Sequence, residues 1–415
     1  MCRHSKKAVT STVILVIGQA YYNGALAVEV LLLTRWLIGE RLGVYFYALS
    51  LASLLEVFVH WGAQHFVNRE AAVRFDVGAR ELLPGLLRSA AVSTVIFTAA
   101  LALVFDWPLA LIAAAGLIRA AGGMLSAIFI GRSDIWPPVI GRVASQSVLL
   151  LGLWLFVRQR PDLIVLSAVL VVAAALYVAV QLASLRRIQL TIGASSGRAG
   201  STATGAVAKR ILPFVALFAL GQLYYRADAV IIKWLVGVEA VSVQMLAFKW
   251  VEGFFFVPAV VAAAAIPVLL RAGDGVVRAL RTYTVALGAG LSVVSLALLF
   301  LGEPLLVIAL GSSFQPSVPL FRMLVWALPL QGLGFFFAAA LVAFDREAVL
   351  LSWTAIIAPL GVALRVAGLE ADGLHGFSVA VLGTLAAYTA CTGALLLRHV
   401  VRGDGMERSQ SGSPK

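Results

Sequence analysis

The chain has 415 residues, of which 61% are hydrophobic and only 13% charged, with a formal net charge of +12. A soluble domain is about half apolar and about a quarter charged, so this composition excludes an ordinary soluble fold and points to an all-α polytopic membrane protein. The two cysteines, Cys2 and Cys391, stand at opposite ends; neither a disulfide framework nor a thiolate metal site follows from them.

The opening, MCRHSKKAVTSTVILVIG, has the charged and apolar regions of a signal peptide, but its apolar stretch runs on towards Leu33. It is expected to stay in place as the first span. With about 20 apolar residues needed per crossing, the sequence predicts about 12 transmembrane helices: 10–33, 42–67, 86–105, 108–131, 135–157, 163–184, 213–236, 240–268, 283–301, 319–343, 347–366 and 374–397. Between the first pairs, NREAAVRFDVGARELLPG (68–85) mixes charge with Val, Phe and Leu and predicts an amphipathic helix on the inner surface. Residues 185–212, rich in Gly, Ser, Ala and Thr, predict a flexible cytoplasmic linker. The expected organisation is thus a six-helix lobe over 1–184, that linker, a second six-helix lobe over 213–400 and a polar, disordered tail over 401–415. Pro258, Pro329 and Pro359 interrupt spans, each removing a backbone hydrogen bond.

An even number of spans puts both termini on one side. Placing them in the cytoplasm collects Lys6, Lys7, Arg69, Arg74, Arg80, Arg186, Arg187, Lys209, Arg210, Arg271, Arg278 and Arg281 on the inner face, as the positive-inside rule requires. That asymmetry explains most of the net charge without nucleic acid. A short repeat supports duplication: RWLIG at 35–39 returns as KWLVG at 233–237, each copy closing the first span of its half. Two six-span halves entering from one side form a parallel repeat, with a substrate site expected between them.

Ionisable groups inside a membrane cost several kcal/mol unless they find water or a partner. Several spans nevertheless carry a polar face. The first holds Gln19, Tyr22, Asn23 and Glu29; the second Ser53, Glu56, His60 and Gln64; the fourth Arg119 and Ser126; the fifth Arg142, Ser145 and Gln146. The seventh aligns Gln222, Arg226 and Lys233, and the eighth has Lys249 and Glu252. Asp228, two residues from Arg226, points nearly the opposite way and must look to a neighbouring helix or to water. Arg119, Arg142, Arg226, Lys233 and Lys249, with Arg322 near the tenth span, outnumber the carboxylates. A cavity with such an excess attracts phosphate, which the forked guanidinium matches. Plainer roles compete: Lys249 and Glu252 as an intrahelical pair, Lys233 and Glu29 snorkelling to the interface, His60 as a packing residue. His60 and the other histidines form no metal constellation, and no phosphate loop, HExxH, GxSxG or cysteine cluster is present. The chain is expected to be no enzyme, with no cofactor and no metal.

At these residues the chain resembles a known family. LLLTRWLIGERLGVYFYALSLASLLEVFVHWGAQHFVNREA resembles the start of the Wzx-type oligosaccharide flippases of the multidrug/oligosaccharidyl-lipid/polysaccharide exporter superfamily. FALGQLYYRADAVIIKWLVGVEAVSVQMLAFKWVEGFFFVPAVVAAAAIPVL resembles their seventh and eighth helices, including Arg226-x-Asp228, and GSSFQPSVPLFRMLVWALPLQGLG fits the loop into the tenth. The resemblance implies two six-helix lobes in a V around a central cavity. It implies movement of an undecaprenyl-pyrophosphate-linked oligosaccharide across the bacterial inner membrane by alternating access, for polysaccharide or O-antigen synthesis. Polysaccharide polymerase and chain-length proteins are the implied partners. Candidate groups for coupling to a proton or cation are Asp228, Glu56, Glu29 and His60. Two other readings compete. One is a drug or organic-cation antiporter of the same superfamily, which would want an acidic cavity. The other is a non-transporting scaffold of a polysaccharide assembly complex, in which the intramembrane charges pair off.

Overall fold

The structure is a computed structural model, described over residues 2–37, 39–60, 75–131, 134–192, 204–271, 275–344 and 346–401. The described residues are almost wholly helical. In chain order the helices are α1 Cys2–Trp36, α2 Glu40–His60, α3 Phe75–Val104, α4 Trp107–Gly131, α5 Trp136–Gly152, α6 Leu163–Ile192, α7 Thr204–Leu235, α8 Val238–Glu252, α9 Phe256–Arg271, α10 Val276–Ala297, α11 Glu303–Leu310, α12 Val318–Leu324, α13 Ala327–Ala343 and α14 Glu347–Val401. Nine helical stretches among them are long and apolar enough to cross a membrane, ten with the bent pair formed by α12 and α13. The longest, α14, is two helices joined at Asp372 and Gly373. With its halves taken separately, and α1 added, the count reaches the twelve expected from sequence.

The two copies of the repeated pentapeptide behave alike. Each ends a helix, at Trp36 and Leu235, and each places its glycine at positive φ, 61° for Gly39 and 126° for Gly237. A side chain would be strained there, so glycine lets the chain turn at once into α2 and α8.

Two of the three intramembrane prolines mark breaks. Before Pro258 the helical ladder tightens to three-residue spacing, with Phe254 N–H donating to Val251 O, Phe255 to Glu252 and Val257 to Phe254. Pro258 has no N–H to reach Phe254 O, and the tighter bond from Val257 takes that acceptor. Before Pro329 the chain bends by 48° between α12 and α13, with Leu328 N–H on Val325 O. Pro359 lies within α14 where no break is recorded.

Two expectations change. The segment 302–318, left between the predicted spans 283–301 and 319–343, is helical: α11 and a 3-10 stretch, Gly311–Ser317, occupy it. Its sequence EPLLVIAL puts Pro304 in the first turn, where a missing N–H costs nothing. The amphipathic segment 68–85 is not a separate surface helix from Phe75 onward, since α3 runs unbroken from there into the span; residues 68–74 lie outside the described residues, as do 193–203 of the linker and the tail beyond 401.

The chain divides into two compact units, Met1–Ser242 and Val243–Lys415. The seam falls inside α8, whereas the expected lobes meet at 185–212. The difference comes from α7, which packs on α2. In the first unit α4 packs on α2, α3 and α6, and α5 on α1 and α6. Leu117 and Met124 meet Val59 and Ala90, while Ile128 and Phe129 meet Leu185. Small residues permit this closeness, as is usual between membrane helices: Gly116 faces Ala52, and Gly122 and Gly141 lie against the Tyr177 ring. In the second unit α13 packs on α9, α10 and α14.

The halves of α14 cross at Gly368 and Gly376, where an added Cβ on either would overlap the other's backbone carbonyl. Gly368→Ala is expected to cost about 1–3 kcal/mol, because backbone cannot rotate away as a side chain can. Gly383→Ala, with open space at its Cβ, is expected to be neutral or slightly stabilising. Thermal unfolding of the two purified variants side by side checks the contrast.

Candidate functional site

The polar faces of α1, α2, α4 and α5 converge inside the first unit, and Glu29 is their node. It is 1% exposed, a position at which a carboxylate is tolerated only if fully satisfied. Tyr45 from α2 donates its hydroxyl to Glu29 Oε1 at 2.6 Å, and Gln146 from α5 donates Nε2–H to Oε2 at 3.0 Å. The 2.6 Å contact is in the range of a charge-assisted O–H···O bond.

Two guanidinium groups share this cluster. Arg119 from α4 lies within electrostatic reach of Tyr22, Glu29 and Tyr45; its Nε is buried with no acceptor among the described residues. Arg142 from α5 donates Nη1–H to Gln19 Oε1 at 2.6 Å. Its Cζ lies 5.8 Å from the centre of the Tyr22 ring. Gln19 in turn donates to Asn23 Oδ1 at 3.3 Å. Among the described residues, the contacts that hold Arg142 are therefore neutral. Glu29 offsets one guanidinium, and the cluster keeps an excess positive charge.

Not every residue on the predicted faces joins in. Ser145 turns away to Ala173 O at 2.7 Å, and Ser126 to the Tyr177 hydroxyl at 2.6 Å, both towards α6. Glu56 is half-buried on α2 and engaged; the side chain of His60 lies outside the described ones. On α7, Gln222 and Arg226 are half-buried and Asp228 is buried; Arg226 and Asp228 are both engaged. Lys233 is placed differently from a cation in a wet path: its ammonium lies 5.4 Å from the Tyr47 ring centre, 5.3 Å from Phe105 and 4.6 Å from Trp234. In the second unit Lys249 donates to Glu252 Oε2 at 2.6 Å, the intrahelical pair that its spacing allows. Arg322 is likewise held by Glu303, through Nε at 2.7 Å and Nη2 at 2.8 Å. Of the predicted cations, Arg119 and Arg142, from α4 and α5, are the two brought together with Glu29. No group of three or more His, Cys, Asp or Glu able to hold a metal occurs among the described residues.

Sequence reasoning missed Tyr45 and Arg365. Tyr45 lies seven before Ala52 and fourteen before Val59 on the buried face of α2, so its spacing reads as core; only its hydroxyl, needing a partner once buried, signals otherwise. Arg365, 2% exposed on α14, stood at the edge of a predicted span, where an arginine passes for an interfacial one.

No protein-family profile matches the chain, and no curated protein does. Solved structures do match. An inward-facing multidrug resistance MATE family transporter of the MOP superfamily superposes with a TM-score of 0.68 at 14% identity, over 96% of this chain and 99% of that one. An outward-facing form gives 0.64 at 15%, over 94% and 96%. A MOP superfamily transporter from Pyrococcus furiosus, described by the reverse polarity of its binding pocket, gives 0.63 at 15%, over 93% and 95%. The chain has the fold of these transporters over nearly its whole length.

Proposed function

We propose that this chain is a flippase that carries an undecaprenyl-pyrophosphate-linked oligosaccharide across the bacterial inner membrane by alternating access. The observation that carries the reading is the cluster around Glu29: two guanidinium groups, one carboxylate, and Arg142 held by neutral partners among the described residues. An unneutralised, half-buried guanidinium is a seat for a phosphate oxygen. The sugar head would enter a polar path while the isoprenoid tail stays in lipid. The fold is found in both inward-facing and outward-facing forms of its structural neighbours, as alternating access requires, and one neighbour is described by a pocket of reversed polarity. Lobes over 1–184 and 213–400, cytoplasmic termini, and work alongside a polymerase and chain-length proteins belong to this proposal.

The second reading, a drug or organic-cation antiporter, is favoured by the neighbours described as multidrug transporters and by the buried carboxylate of Glu29. The deciding experiment is translocation of labelled lipid-linked oligosaccharide in proteoliposomes, with a cationic dye run in parallel. Movement of the sugar lipid supports the flippase; movement of the dye alone overturns it. Under the flippase reading Arg226→Ala also lowers surface glycan by about tenfold at matched expression, measured on whole cells.

A further inference from the structure

Lys233 and its surroundings are not absorbed by the cluster at Glu29. Its ammonium, on the last turn of α7, is boxed by the faces of Tyr47 from α2, Phe105 at the end of α3 and Trp234 beside it. A few residues on, the backbones themselves meet. A Cβ on Gly43 would overlap the Val238 carbonyl, and one on Gly39 would lie 3.7 Å from Glu239 Oε1. All of this lies inside the first unit, yet it joins the helices that open the second sequence repeat, α7 and α8, to α2 and α3 of the first. The two repeat copies are unequal here: Arg35, the counterpart of Lys233, is exposed, and Trp36 packs instead on Trp154, ring centres 6.5 Å apart.

We propose that this contact is a latch that parts and re-forms once in each transport cycle, with the Lys233 ammonium as its bolt. Its construction fits repeated breakage. The cation rests on ring faces, so release strands no buried carboxylate, as breaking an ion pair would. At Gly43 the approach is glycine to backbone, with the Val238 side chain alone seated beside it among the near neighbours. A permanent joint between membrane helices has no need of a charge held this way. The proposal rests on the transporter reading above but not on the substrate assigned to it.

The test uses the full chain with Cys2 and Cys391 replaced by Ser. Val238→Cys is introduced as a reporter and its maleimide labelling rate is followed in membranes without any substrate. Adding Lys233→Met, which keeps the stem and removes the charge, is expected to raise labelling about threefold or more, and Lys233→Arg to restore it, since a guanidinium also sits well on aromatic faces. Separately, Phe105→Cys with Lys233→Cys, bridged by a short bis-methanethiosulfonate reagent, is expected to slow translocation at least tenfold, with recovery on reduction. Unchanged labelling in Lys233→Met, or transport continuing at the unbridged rate after bridging, would overturn the latch. Transport of a cationic dye in place of lipid-linked sugar would overturn the substrate reading and leave the labelling result standing.

Discussion

Arg142→Ala is expected to slow translocation of lipid-linked oligosaccharide about tenfold to a hundredfold in proteoliposomes, and to lower surface glycan in cells at matched expression. The range follows from the worth of a hydrogen bond to a charged group, about 1.5–3 kcal/mol. Arg142 donates to a neutral amide, Gln19 Oε1 at 2.6 Å, and faces the Tyr22 ring. Neither contact neutralises its charge, so its removal takes away the net positive character of the cluster and little folding energy. Arg142→Lys keeps the charge but loses the fork, and is expected to retain part of the rate. Transport unaffected in Arg142→Ala, with the protein folded, would refute a phosphate seat at this residue.

Glu29→Ala is expected to act on stability before transport. Its carboxylate is fully buried and is satisfied by Tyr45 and Gln146, with the charge of Arg119 close by. Deleting it leaves the half-buried Arg119 guanidinium uncompensated and the buried Tyr45 hydroxyl and Gln146 amide without their acceptor, at a cost of about 1–3 kcal/mol, seen as a fall of several degrees in the unfolding temperature in detergent. Pairing it with Arg119→Leu should recover part of that loss, since no uncompensated charge then remains, although the Tyr45 hydroxyl and the Gln146 amide still lack their acceptor. If the double variant is no more stable than Glu29→Ala, the coupling drawn between these two groups is wrong.

The membrane character and the helix count were legible because each crossing demands a long apolar run, and that demand leaves a mark in any sequence. The site was legible only as faces. Periodicity put Gln19, Tyr22, Asn23 and Glu29 on one side of the first span and Arg142 with Gln146 on one side of the fifth, and these do meet. It also grouped Ser145 with Arg142, yet Ser145 bonds to Ala173 O, since a face of 100° spans two neighbours and the sequence does not say which of them a residue serves. For Lys249 and Lys233 the sequence left a cavity cation and a plainer role side by side, and partners decide between them. Glu252 was visible three residues away, but Tyr47 and Phe105 come from distant segments and became neighbours of Lys233 only through tertiary packing.

The three tightened turns ahead of Pro258 have a mechanical consequence. The eighth crossing is two short rods sharing a swivel, not one stiff pole. The acceptor that proline would orphan is already used by Val257, so the two rods meet across three short-range bonds and without the four-residue bond that proline removes. Beyond the joint, Pro258 is seated against Gly332, so the second rod is anchored by its own packing on α13.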